Sequence, residues 1–163
     1  MDREVFCLKK NKKLLIICVV IPLAVGGLAA LLTGGGMDAF EALNQPPLSP
    51  PGWLFPVAWT VLYILMGVAS YLVIQAGEEK ASADGAIRVY GAQLAANFIW
   101  PILFFKLEMY LFAFIWLILL WALILATIVR FVRLSTAAGK LMIPYLLWVT
   151  FAGYLNCGVW LLN

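Results

Sequence analysis

The sequence predicts an all-α, polytopic membrane protein: a single five-transmembrane-helix bundle covering residues 1–163. Two observations predict it. Hydrophobic residues make up 65% of the chain and charged residues 12%, a balance foreign to soluble domains. Apolar runs approaching the about 20 residues that cross a hydrocarbon core recur five times. They fall at about 14–32, 53–75, 87–105, 110–131 and 141–161. Unpaired backbone in lipid excludes open strands, so each run reads as a helix. No internal repeat is visible, which counts against an inverted-repeat carrier.

The first run follows a basic stretch at 9–13, as a signal peptide would. Its apolar part is longer than the roughly 7–15 residues of a signal core, so it reads as a retained helix. Pro22 lies inside it and predicts a kink. Gly34–Gly36 ends it. The connection 33–52 is long for so short a chain, and loops of that length tend to carry function. Its prolines 46, 47, 50 and 51 hold φ and donate no hydrogen bond, which predicts a stiff, lid-like segment. Gly52 lets the chain turn, and Pro56 suits the first turn of the second helix.

The second run carries Trp59 and Tyr63 four apart, with Ser70 at +11 and Met66 and Gly67 beside them. Polar residues 77–80 and 82–85 end it. On the third run Gln93, Asn97, Trp100 and Phe104 recur at +4, +7 and +11, one helical face. Pro101 predicts a second kink. Gly91-x-x-x-Ala95 and Ala92-x-x-x-Ala96 permit close helix approach and suggest a homodimer seam through this helix. Lys106-Leu107-Glu108 makes a short turn. Trp116 and Trp121 on the fourth run are five apart and share no face, which points to lipid or subunit contact. Trp53 and Trp160 fall at helix ends, where an interfacial belt accounts for them. Arg130 to Lys140 reads as the last turn. On the fifth run Tyr145, Trp148, Ala152 and Asn156 recur at +3, +7 and +11, again one face.

Charge sets an expected orientation. Arg3, Lys9, Lys10, Lys12, Lys13, Lys80, Arg88, Arg130, Arg133 and Lys140 share one side, and Lys106 stands on the other. That bias predicts a cytoplasmic N-terminus and an external C-terminus. The basic residues gather at helix ends, so a nucleic-acid surface is not expected. There is no histidine, and Cys7, Cys18 and Cys157 have no metal-site spacing, so no metal or resident cofactor is expected.

No Asp, Glu, Lys, Arg or His lies in the middle of any run, and no P-loop, HExxH or nucleophile elbow occurs. Nothing in the residues supports a conventional enzyme. Three helices instead present polar-aromatic stripes, which in lipid should face one another. For single residues the plain reading is inter-helix hydrogen bonding. For the set, an apolar cavity with a few polar groups is expected, the usual form of a small-molecule site.

Three ordered segments carry a family resemblance: PPGWLFPVAWTVLYILMG at 50–67, QLAANFIWPILFF at 93–105 and LMIPYLLWVTFAGYLN at 141–156. Together the chain resembles the translocator protein, or tryptophan-rich sensory protein, family (TspO/MBR) over nearly everything after Met37. The resemblance implies a five-helix bundle with a hydrophobic cavity near the first loop. It implies binding of porphyrin or haem, and of sterols and synthetic aromatic ligands in some members. It also implies roles in tetrapyrrole sensing or transport, or light-dependent porphyrin breakdown in bacterial members. The family's cavity tryptophans match Trp59 and Trp148, its cavity amide and aromatic match Asn97 and Trp100, and Ala152, Leu155 and Asn156 match its fifth-helix segment.

The expected ligand-binding set is Trp59, Tyr63, Gln93, Asn97, Trp100, Phe104, Tyr145, Trp148, Ala152, Leu155 and Pro51. Trp59 and Trp148 are the candidate electron donors should breakdown occur. In the first loop the family's two tryptophans and lysine are replaced by Ala39, Leu48 and Gln45, so its loop contacts do not carry over. No Lys or Arg follows Tyr154, so the sterol motif does not carry over either. The expected function is a receptor or sensor for tetrapyrroles in a bacterial cell membrane. The alternatives are a transporter or a porphyrin-degrading enzyme. The expected partners are membrane lipid, small hydrophobic ligands and a second copy.

Overall fold

The computed structural model describes residues 11–34, 36–76 and 80–163, and the side chains of all of these except 37–39 and 80–82. Arg3, Cys7, Lys9, Lys10, Gly35 and residues 77–79 lie outside it, as do the side chains of Ala39 and Lys80. Six α-helices and one π segment make up the described chain, against the five helices expected. The extra one lies in the long first loop.

Helix α1 spans Lys12–Leu32, begun by Asn11, whose Oδ1 accepts from the Leu14 amide at 3.1 Å. Thr33 closes it, donating from Oγ1 to the Ala29 carbonyl at 2.9 Å. The short α2 (Gly36–Ala42) follows. Helix α3 (Leu54–Ala76) starts when the amides of Leu54 and Phe55 donate to Pro51 and Gly52. Pro56, which has no amide to donate, sits within that first turn.

Helix α4 runs Lys80–Pro101, seven residues earlier than its apolar run suggested. Its polar first half, with Asp84 and Arg88, is helical without being apolar, so hydropathy alone truncates it. After Pro101 the ladder widens into a π segment, Ile102–Lys106, where the Leu107 amide reaches back five residues to the Ile102 carbonyl at 3.0 Å. Glu108 then turns the chain at φ 52°. Helix α5 is Tyr110–Leu134 and α6 is Thr136–Leu162. The expected turn over 130–140 shrinks to Ser135 alone. Ser135 is extended (φ −150°, ψ 112°), and its hydroxyl caps α6 through the Ala138 amide.

The five long helices close a ring in the order α1, α3, α6, α5, α4, with α4 touching α1 again. Backbones approach closely where α1 crosses α3. A Cβ on Gly67 would lie 2.5 Å from Val19 Cα and 2.7 Å from the Cys18 carbonyl, so only glycine fits. Outside, α1 presents Ile16, Ile17 and Val20, and α5 presents Ile115, Ile118 and Leu119. Such a surface suits lipid and not water. Among the described residues, α1, α3, α5 and α6 are long and apolar enough to cross a membrane; α4 is long enough but too polar in its first half. The protein is an integral membrane protein.

Candidate functional site

A cavity of about 590 Å³ opens between α1, α3 and the end of α4, beneath the first loop. Space there comes from small residues. Gly26 faces Tyr63, and a Cβ at that position would fall on the Tyr63 ring. A Cβ on Gly27 would meet nothing. Aromatic faces make the opposite wall. Trp59 stacks on Tyr63 with centroids 5.6 Å apart and meets Tyr145 edge-on at 6.1 Å. Trp100 and Phe105 close the side formed by the π segment, their rings crossing at 78°. Phe55 and Trp53 form the roof. Polar groups are few: Thr33, Thr60 and the exposed Glu41 at the mouth.

Behind the wall the three stripes meet, but they bond to one another. Tyr63 Oη donates to Asn97 Oδ1 at 2.9 Å, and Asn97 Nδ2 donates to Tyr145 Oη at 2.6 Å. One amide thus joins α3, α4 and α6. One turn along, Trp100 Nε1 donates to Asn156 Oδ1 at 3.2 Å, and Asn156 Nδ2 donates to the Tyr110 carbonyl at 2.8 Å. That second relay joins α4, α6 and α5. In lipid no water relieves a buried amide, so neighbouring helices supply the partners.

The expected site residues therefore separate. Trp59, Tyr63 and Trp100 line the cavity. Asn97, Phe104, Tyr145, Ala152 and Leu155 are buried in the core and are not among its lining. Phe104 packs face to face with Trp100 at 5.4 Å and supports it. Gln93 is wholly buried, and neither of its amide atoms has a partner among the described residues. Trp148 is half-buried and stands behind Phe55, edge-on at 6.1 Å, instead of sharing the cavity with Trp59. Pro51 is exposed and contributes its carbonyl to the first turn of α3.

Trp116 and Trp121 keep part of their surface outside the bundle, and each also bonds within it. Both are half-buried, and each indole N–H donates to a neighbouring helix: Trp116 to the Ala96 carbonyl and Trp121 to Thr150 Oγ1, each at 2.9 Å. A buried indole N–H needs an acceptor, which lipid tails lack. Trp53, 67% exposed, and Trp160, 40% exposed, do stand at helix ends.

Sequence reasoning missed the α1 wall, with Leu23, Gly26 and Gly27, and the roof residue Phe55. The Gly26-Gly27 pair in an otherwise apolar run was the one signal available. Chemically the cavity offers flat apolar faces, two hydroxyls and a carboxylate at its mouth. No group of three His, Cys, Asp or Glu among the described residues could hold a metal ion.

Comparison with known proteins matches residues 18–161 to the model of the TspO/MBR family. The chain is 36% identical over 156 residues to a tryptophan-rich protein TspO of Chlorobaculum tepidum, covering 94% of this chain and 99% of that one. It is 39% identical over 124 residues to a tryptophan-rich sensory protein of Cereibacter sphaeroides, covering 76% of each. It is 35% identical over 143 residues to the translocator protein of Bos taurus, covering 86% of this chain and 85% of that one. With a family match over residues 18–161 and relatives 35–39% identical over three quarters or more of the chain, the chain belongs to the TspO/MBR family.

Proposed function

We propose that this chain is a receptor- or sensor-type membrane protein that takes flat hydrophobic ligands, tetrapyrroles foremost, into the α1–α3 cavity. The observation that carries this reading is the aromatic-walled space of about 590 Å³, within the roughly 300–1,000 Å³ of small-molecule pockets. The indole faces of Trp59 and Trp100 suit stacking on a planar macrocycle. The chain has no histidine, the commonest haem ligand, so a metal-free porphyrin suits it as well as haem. The relatives' names, sensory protein and translocator protein, are in keeping with a role in sensing or moving a small molecule. A second copy is proposed to pack on Gly91 and Ala95, both exposed on α4; Ala96 is buried and so stands apart from that seam.

The test is titration of purified protein with protoporphyrin IX, in the dark and under illumination, with product analysis. Trp59→Phe should weaken binding about fivefold, the scale of one aromatic pair. Gly27→Leu, at a position where a Cβ meets nothing, should abolish it by filling the cavity. Trp148→Phe should weaken it less, because Trp148 acts through Phe55. Trp121→Phe should leave affinity unchanged. Equal losses for Trp121→Phe and Trp59→Phe would refute the cavity assignment. A product formed only in light and lost in Trp59→Phe would favour breakdown. Flux into reconstituted vesicles would favour transport.

A further inference from the structure

A second depression lies on the outer surface of the bundle, away from the cavity. It is an open groove of about 930 Å³ between the first half of α4 and the last half of α5. Gly85 and Ala86 of α4, with Ala122 and Ala126 of α5, keep its floor low. Trp121, Leu125 and Val129 follow one another at four-residue spacing along α5 and give it a continuous apolar side. Arg130 and Arg133 stand at its end, both exposed. Arg130 holds the Gly85 carbonyl across the groove at 3.3 Å. Arg133 has no hydrogen bond or ion pair among the described residues. Asp84 is the acidic neighbour on α4. It is exposed, it makes no ion pair with either arginine, and its own carbonyl is taken by Arg88 Nε at 3.4 Å.

We propose that this groove binds one anionic glycerophospholipid, with an acyl chain laid along Trp121, Leu125 and Val129 and the phosphate held by Arg130 and Arg133. Length fits the occupant. Twelve residues of helix separate Trp121 from Arg133, a rise of about 18 Å, against about 15 Å for one leaflet of the hydrocarbon core. Position fits as well. The arginines lie near the C-terminal end of α5, at headgroup depth, while the apolar side runs inward from them. Charge fits, because two guanidinium groups without a carboxylate partner among the described residues suit a phosphate, which takes paired N–H donors from arginine. A neutral lipid would fill the groove but leave Arg133 without its anion.

The experiment is native mass spectrometry of the detergent-purified full chain, titrated with dioleoyl-phosphatidylglycerol or dioleoyl-phosphatidylcholine. The wild type should retain one phosphatidylglycerol in preference to phosphatidylcholine. Arg133→Gln, which breaks no hydrogen bond or ion pair among the described residues, should cut that preference about fivefold, and Arg130→Gln with Arg133→Gln should abolish it. Ala126→Phe should fill the floor and remove retention of both lipids. Lys140→Gln, exposed at the same end of the bundle, should change nothing. Equal retention of the two lipids by the wild type would overturn the proposal. So would a loss in Lys140→Gln as large as in Arg133→Gln, which would mean diffuse charge. If Ala126→Phe instead turned a dimer into a monomer with lipid retention intact, the groove would be a subunit seam and the proposal would fall.

Discussion

Gln93 and Asn97 sit one turn apart on α4, both sealed from solvent, and their amides meet opposite circumstances. Asn97 donates to one tyrosine and accepts from another, and so ties three helices together. Asn97→Ala should lower thermal stability in detergent by about 1 kcal/mol, two bonds at about 0.6 kcal/mol each. If stability held while porphyrin affinity fell, Asn97 would be a ligand group and not a bridge. Gln93 has neither amide atom paired among the described residues. An unsatisfied buried amide costs about 1–3 kcal/mol. Gln93→Met keeps the length and nearly the volume, so it should raise the unfolding midpoint. A lower midpoint would show that the amide is hydrogen-bonded in solution, by internal water or by a ligand reaching past Trp100.

At the scale of elements, the first loop behaves as two pieces. Its first half forms α2, plugged by Phe40, which is buried against Phe55 at 5.4 Å and Phe104 at 6.2 Å. Its second half is bolted to α6. Asn44 and Asn163 exchange amide hydrogen bonds at 3.0 and 3.1 Å, Tyr154 Oη donates to the Pro47 carbonyl at 2.8 Å, and Pro46 packs where a Cβ on Gly158 would sit. The prolines made stiffness legible in the sequence. The latch was not, because its partners lie more than a hundred residues away. On the proposed reading, any lid motion should fall at 33–43 more than at Gly52, which is buried. Phe40→Ala should raise amide exchange across 36–52 while leaving α5 and α6 protected. Tyr154→Phe should raise it by less, and only over 44–51. Unchanged protection in Phe40→Ala would mean that the latch alone holds the loop.

At the scale of the molecule, the helices were legible and the site only partly so. Apolar runs announce spans because lipid demands them. Polar helix ends such as 80–86 escape notice, and so does a one-residue break at Ser135, because neither depends on hydropathy. The helical period put the right residues on the inward faces of α3, α4 and α6. Whether those faces would leave space or bond to each other depended on α1, whose sequence is nearly uniform apart from Gly26 and Gly27. The ring then places the cavity at the end of the bundle where α3 and α5 begin, together with the first loop and Lys106. Lys12, Lys13, Arg88, Arg130, Arg133 and Lys140 all lie toward the opposite end. Retention of positive charge in the cytoplasm would turn that basic end inward, so the cavity should lie in the outer half of the membrane. In a background with Cys7, Cys18 and Cys157 replaced by alanine, Glu108→Cys and Lys140→Cys report the two ends, both being exposed. A membrane-impermeant maleimide added to intact cells should label Glu108→Cys and spare Lys140→Cys until the cells are opened. The reverse pattern would place the cavity mouth in the cytoplasm, and ligands would then have to arrive from inside the cell.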